Sequence, residues 1–230
     1  EETRYYLNGV FLHEYDGRAY IVATDGNRCH VQEFEAPAGM LPMVERPESN
    51  YPGIIIPREA VKILHDVLKG KKVSEGVQIE AQGERITFNL DVAGLAYTLT
   101  TKTIDGTFPD YRRVMPVRNS KVAVFDTSDL QTAIKAVTVI RDTGKGAIGF
   151  HVNKDGSSIT CRSEDGTDSS SFPIPSRWSE AEEFMIGFNS VYLKEMLAIS
   201  GSSFQAAWDD PSSPGLFTSP GIEDFSMTLM

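Results

Sequence analysis

Residues 106–116 crowd two aromatics (Phe108, Tyr111), two prolines (Pro109, Pro116), an acid (Asp110) and two adjacent arginines (Arg112, Arg113) into one short connection. The chemistry open to such a set is recognition rather than bond-making. Prolines fix the backbone and cannot join a central strand, so the segment reads as a rigid, irregular loop. Rigid loops that display aromatic and arginine side chains are typically recognition surfaces. The same residues suit an interdomain linker in which Phe108 and Tyr111 cap the core, and composition leaves both readings open.

Patterns that would carry catalysis fail on context. Gly144, Gly146 and Gly149 fit G-x-G-x-x-G, but the run follows a helix and leads into a strand. Dinucleotide binding needs the reverse, a strand and turn feeding a helix N-terminus, so the run reads as a helix C-cap and strand entry. Gly144 and Lys145 lack the upstream glycine and following Ser/Thr of a Walker loop. His13, His30, His65 and His151 show no local zinc spacing, and no G-x-S-x-G elbow is present. Asp209 and Asp210 precede Pro211 and read as a turn. No cofactor, metal or catalytic residue is implied, which favours a binding protein.

The elements that must position the loop repeat along the chain. Three times a short apolar strand runs into a capped amphipathic helix: Ile54, Ile55 and Ile56, then Pro57 and a helix to about Leu68; residues 122–125, then Ser128 and a helix to about Arg141; residues 184–188, then Asn189 and a helix to about Ile199. Pro57 suits a first helical position, Ser128 with Gln131 makes a capping box, and Asn189 is a good N-cap. Two stretches of equal length, 9–26 and 149–166, read as hairpins turning at Asp16-Gly17 and Asp155-Gly156, and a third hairpin turns at Gln82-Gly83. These units predict an α+β fold built by duplication, with helices covering one face of antiparallel sheets. The boundary is expected near residues 117–121.

In the first helix Ala60, Val61, Leu64, Val67 and Leu68 form the apolar stripe, while Arg58, Lys62, His65 and Lys69 line the outer face, with Lys71 and Lys72 following. In the second, Leu130, Ala133, Ile134, Val137 and Ile140 face inward and Lys135, Thr138 and Arg141 outward. A charged outer face is usually only solvated. A nearly one-sign basic stripe in a 230-residue chain of net charge −10 is where a polyanion would bind. That net charge argues against a domain coated in phosphate contacts. No apolar run approaches the roughly 18 residues of a membrane span. Cys29 and Cys161 are expected as reduced, cytosolic thiols. The opening Glu1-Glu2-Thr3-Arg4 is neither an initiator methionine nor a signal peptide, so the sequence is expected to start inside a longer protein.

Several segments together resemble the bacterial replicative sliding clamps, the β subunits of DNA polymerase III. They are residues 3–9 (Thr-Arg-Tyr-Tyr-Leu-Asn-Gly), 22–28 (Val-Ala-Thr-Asp-Gly-Asn-Arg), Ile56-Pro57-Arg58, 105–116, Gly187-Phe188-Asn189 and 224–230 (Asp-Phe-Ser-Met-Thr-Leu-Met). They span the chain in the family's order. The resemblance implies a DNA-clamp fold: homodimeric rings with three similar domains per subunit, helices lining the hole and antiparallel sheets outside. Residues 1–117 would be most of the middle domain and 118–230 nearly all of the last, with the first domain and the family's final Pro-Met-Arg absent from this chain.

The resemblance also implies the sites. Double-stranded DNA, held without regard to sequence, would meet Arg4, Tyr5 and Tyr6 on the ring's face and Arg58, Lys62, Lys69, Lys135 and Arg141 in its lining. A pocket for short leucine- or aromatic-bearing motifs would be built from Leu7, Thr24, Gly26, Asn27, Arg28, Cys29, Pro109, Arg113, Val114, Thr228, Leu229 and Met230, with Asn189 and Tyr192 at its margin. Replicative polymerase, clamp loader and repair polymerases would share it. The family usually has histidine at Asn27 and leucine at Cys29, so altered peptide preference is expected. The implied function is a cytoplasmic, non-catalytic processivity clamp; a clamp-like module that binds peptides without encircling DNA is the alternative.

Overall fold

The computed structural model describes residues 3–37, 40, 51–71, 73–141 and 145–229, with only the backbone for 73–75. Lys72, Gly144 and Met230 lie outside the described residues. The chain forms two compact units, Glu1–Asp25 with Val31–Asp110 and Gly26–His30 with Tyr111–Met230.

In the first unit, β1 (Gly9–Tyr15) and β2 (Arg18–Thr24) make the expected hairpin, Tyr15 opposite Arg18. Asp16 and Gly17 both take positive φ, 52° and 76°, as a two-residue turn between twisted strands requires. β3 (Arg28–Glu35), which belongs to this unit from Val31 onward, and β4 (Gly53–Pro57) complete the order β3-β2-β1-β4. Gly53 allows the close approach of β4 to β1, since a Cβ there would lie 2.7 Å from the Leu12 carbonyl oxygen. α1 (Arg58–Leu68) follows directly. Pro57 ends the strand and caps the helix rather than opening it: its ψ of 144° is extended, and the Arg58 N–H donates outside the helix to the Asn8 carbonyl at 3.1 Å.

β5 (Val73–Gln82), β6 (Arg85–Val92) and β7 (Leu95–Lys102) form a separate antiparallel sheet. On β6, Ile86, Phe88, Leu90 and Val92 alternate inward and meet Leu12, Ile54, Ile56 and Ala60, with Val61, Leu64, Val67 and Leu68 of α1 packed partly buried against them. The β6–β7 turn at Ala93-Gly94 carries a weak sequence signal, because alanine is a poor turn residue, yet Ala93 sits at φ 54°. Asp91 supports this turn by accepting the Gly94 N–H at 2.9 Å.

The second unit repeats the strand-into-helix step twice. β8 (Lys121–Asp126) feeds α2 (Thr127–Thr138). After them come β9 (Ala147–Val152), β10 (Ser157–Arg162), β11 (Ser169–Ile174), β12 (Arg177–Trp178) and β13 (Phe184–Asn189), which feeds α3 (Ser190–Ala198). β14 (Ser203–Trp208), β15 (Gly215–Thr218) and β16 (Phe225–Leu229) close the unit. One sheet runs β12-β8-β14-β15-β16 and the other β11-β10-β9-β13, with α2 and α3 packed on each other. Between the sheets, Trp208, Phe125, Phe150, Phe204 and Phe217 are fully buried with Leu130, Ile134, Leu193 and Met196.

Four local expectations change here. Asp126, not Ser128, caps α2, accepting the N–H groups of Ser128 and Asp129 at 2.8 and 3.1 Å, and Gln131 reaches across to the Leu197 carbonyl at 3.2 Å. α2 stops at Thr138, because the Arg141 N–H tightens onto the Thr138 carbonyl. Thr138 is buried, its hydroxyl donating to the Ile134 carbonyl at 2.7 Å. The Asp155-Gly156 hairpin is a four-residue loop over 153–156, held by the Asn153 side chain accepting the Asp155 N–H, rather than a two-residue turn.

Candidate nucleic-acid and partner interfaces

In the first unit the DNA candidates lie at the start of α1 and along its outer face. Tyr5–Leu7 is a single 3-10 turn, and Asn8, the residue after it, accepts the Arg58 N–H, so the turn adjoins the helix start. Arg4 Nη2 donates to the Asp25 carbonyl at 2.7 Å, which orients the guanidinium. Tyr5 is 59% exposed and stands edge-on to Tyr6 with ring centroids 5.6 Å apart. Gly106 lies against the Tyr5 ring and the Tyr6 Cβ, which a side chain there would meet at 3.2 and 2.9 Å. Arg58, Lys62 and Lys69 are exposed along the outside of α1. Leu7 is only 5% exposed and is a core residue of this unit. Thr24 is half-buried and Pro109 exposed. Phe108 is buried and stacks on Phe11 at 4.8 Å, so that ring caps the core as the linker reading expects.

The second unit holds most of the expected partner residues. Asn189 caps α3 by accepting the Val191 N–H at 2.9 Å. Three residues on, Tyr192 lies beneath Arg28, whose guanidinium carbon is 4.7 Å from the ring centroid. Arg28 also pairs with Glu195. Gly26 takes φ 86°, a left-handed conformation natural to glycine, and Asn27 beside it is exposed. Cys29 is buried, as is Cys161. Tyr111–Arg113 forms a second 3-10 turn that buries Tyr111, leaves Arg113 exposed and fixes Val114, whose N–H donates to the Tyr111 carbonyl at 3.1 Å. Thr228 and Leu229 are buried on β16.

Over the whole chain, the fold superposes on the "Caulobacter crescentus pol III beta" structure with a TM-score of 0.83 at 30% identity, covering 59% of that chain. A sliding clamp (DNA polymerase III subunit beta) from Bartonella birtlesii, bound to griselimycin, gives 0.86 at 30% with the same coverage. The family model of the DNA polymerase III beta subunit central domain matches residues 1–110. In sequence and in fold the chain is similar to the bacterial sliding clamps. The curated "Beta sliding clamp" of Caulobacter vibrioides is 31% identical over 236 residues, and the chain spans 59% of its length.

The expected partner residues divide by unit. Leu7, Thr24 and Pro109 belong to the first; Gly26, Asn27, Arg28, Cys29, Arg113, Val114, Asn189, Tyr192, Thr228 and Leu229 belong to the second. Lys135 is exposed on α2, but Arg141 is half-buried and its Nη1 donates to the Arg162 carbonyl at 2.8 Å, which ties it down more than an outward-facing stripe suggests. Sequence reasoning missed Glu195 and Met115. Glu195 follows Tyr192 by three positions on α3, the spacing that puts both on one helix face. A separate cleft of about 660 Å³ is lined by Lys121, Trp178, Phe184, Met185, Pro211 and glutamates at 180, 182 and 183; no residue expected at either interface borders it. Among the described residues no group of His, Cys, Asp and Glu could hold a metal ion, and no helix is long and apolar enough to cross a membrane.

Proposed function

We propose that this chain serves in a sliding clamp that encircles duplex DNA and tethers the replicative polymerase, without catalysis of its own. On this reading residues 1–117 act as the middle domain and 118–230 as the last, in a homodimeric ring of the cytoplasm. The observation that carries it is the adjoining of Arg4, Tyr5 and Tyr6 to a helix whose exposed face presents Arg58, Lys62 and Lys69, in a chain of net charge −10. Cations gathered on one face attract phosphate while acids elsewhere repel it. A topological ring has no need of a tight grip, and weak, sequence-independent phosphate contacts leave the duplex free to slide.

On the second unit the partner site is the set around Arg28, Tyr192, Asn189, Arg113, Val114, Thr228 and Leu229; Leu7, Thr24 and Pro109, on the first unit, are candidate contacts in their own right. It takes leucine- or aromatic-bearing motifs of polymerase, clamp loader and repair polymerases, which therefore compete. Apolar walls with a few fixed polar groups suit such peptides. Asn27 keeps hydrogen-bonding capacity but lacks an imidazole, and Cys29 is a smaller wall than leucine. Asn27→His is expected to change peptide affinity; an unchanged value counts against Asn27 as a contact.

The decisive experiment loads the intact protein, with a clamp loader, onto nicked circular DNA. It should stay on the circle and run off after linearisation. Equal loss from circle and linear form sinks the encircling function and leaves a peptide-binding module.

A further inference from the structure

Arg28 is placed by two groups of α3. Its side chain is 21% exposed, stacked on Tyr192 and paired with Glu195, which is itself 56% exposed. Glu195 stands in the last turn of α3, where the carbonyl end of the helix disfavours an acid. The cation of Arg28 offsets that. Tyr192 holds the guanidinium from its face while Glu195 takes N–H donors from its edge, so the arginine enters the partner site with its charge already compensated.

We propose that Glu195 sets the charge selectivity of the partner site: by neutralising Arg28 from α3, it makes the site favour leucine- and aromatic-bearing segments with no carboxylate beside Arg28. This rests on the partner-site reading above. Arg28 alone would draw an acidic residue of an incoming peptide. With Glu195 in place the pair presents no net charge, and a peptide carboxylate gains attraction from one partner and repulsion from the other. Glu195 is thus a positioning residue acting through Arg28, and apolar burial is left to decide affinity.

The test uses the full chain and two fluorescent pentapeptides that share a leucine and a terminal phenylalanine and differ only by asparagine or aspartate at the middle position. In the unaltered protein the asparagine peptide is expected to bind at least as well. Glu195→Gln should shift the ratio of the two dissociation constants about three-fold toward the aspartate peptide, the scale of a part-exposed ion pair. Glu195→Asp, which keeps the charge, should restore most of the original ratio. The shift should shrink in about 1 M salt, where screening acts within about 3 Å. An equal change for both peptides means that Glu195 only supports the fold and overturns the inference. If the unaltered protein binds neither peptide, the partner site itself falls and the inference with it.

Discussion

The hydroxyl of Thr228 lies 3.1 Å from the sulfur of Met115, joining the last strand to the proline-bounded segment that holds Arg113 and Val114. Thr228 is fully buried, so its hydroxyl has been taken out of water. A thioether is a weak acceptor, and the bond acts mainly to seat the segment on β16.

Thr228→Val keeps shape and loses the hydroxyl. We expect a stability loss of about 0.5–1 kcal/mol by urea unfolding, the low end for a buried hydrogen bond. Peptide affinity should fall more than stability alone explains, because Val114 and Arg113 are no longer held. Unchanged peptide binding would separate β16 from the partner site.

Asn189 has two expected jobs, and substitutions divide them. As cap of α3, Asn189→Ala should cost about 1 kcal/mol, while Asn189→Asp keeps an accepting oxygen for the Val191 N–H and should be nearly neutral. If Asn189→Asp preserves stability yet alters peptide affinity, the side chain also touches the partner. If both variants follow stability alone, Asn189 is only a cap.

The strand-helix-hairpin plan was legible because it rests on local physics. Alternating Ile86, Phe88, Leu90 and Val92, the Asp16-Gly17 turn and the Asn189 cap each declare themselves within a few residues. Where two local signals compete, the neighbours decide. Asp126 and Ser128 could both cap α2, and Asp126 wins because it lies in the extended backbone from which its carboxylate reaches two N–H groups. The Arg28–Glu195 pair was illegible for another reason: its members are far apart in sequence, and neither departs from what an exposed charged residue looks like. The basic face of α1 was readable from helical spacing, whereas the tethering of Arg141 needed the Arg162 carbonyl brought in by β10.

Acid should erode stability through two loops of the second unit. Hydrogen bonds from the Ser163 hydroxyl, then the Thr167 N–H and hydroxyl, hold Asp165 down to about 2, and the Ser212 and Ser213 hydroxyls with the Ser212 N–H do the same for Asp210. Both folded values lie below the ordinary 3.8, so the folded state binds fewer protons there. Their contribution is complete above about pH 4 and is lost as the pH falls toward 2. Asp165 is exposed and Asp210 only half-buried, so the effect is small and read best by difference. In urea unfolding from pH 7 to 2, Asp165→Asn and Asp210→Asn should start below the parent and converge on it at the acid end. Parallel curves would show that these bonds do not distinguish folded from unfolded chain.

The cations of α1 can be tested by salt. On the clamp reading, Arg58, Lys62 and Lys69 each meet phosphate, and every such contact releases counterions. The logarithm of the binding constant then falls against the logarithm of salt concentration with about 0.9 of slope per phosphate. Replacing all three with glutamine should lower that slope by about 2 to 3 for a short blunt duplex, whatever its sequence. The side chains are exposed, so each change should move stability by no more than about 0.5 kcal/mol. Lys154, exposed between β9 and β10, is the control: Lys154→Gln alters net charge but should leave the slope alone. A slope that follows net charge, equal per residue for Lys154 and the α1 set, would mean that DNA senses the chain as a whole and that the outer face of α1 is only solvated.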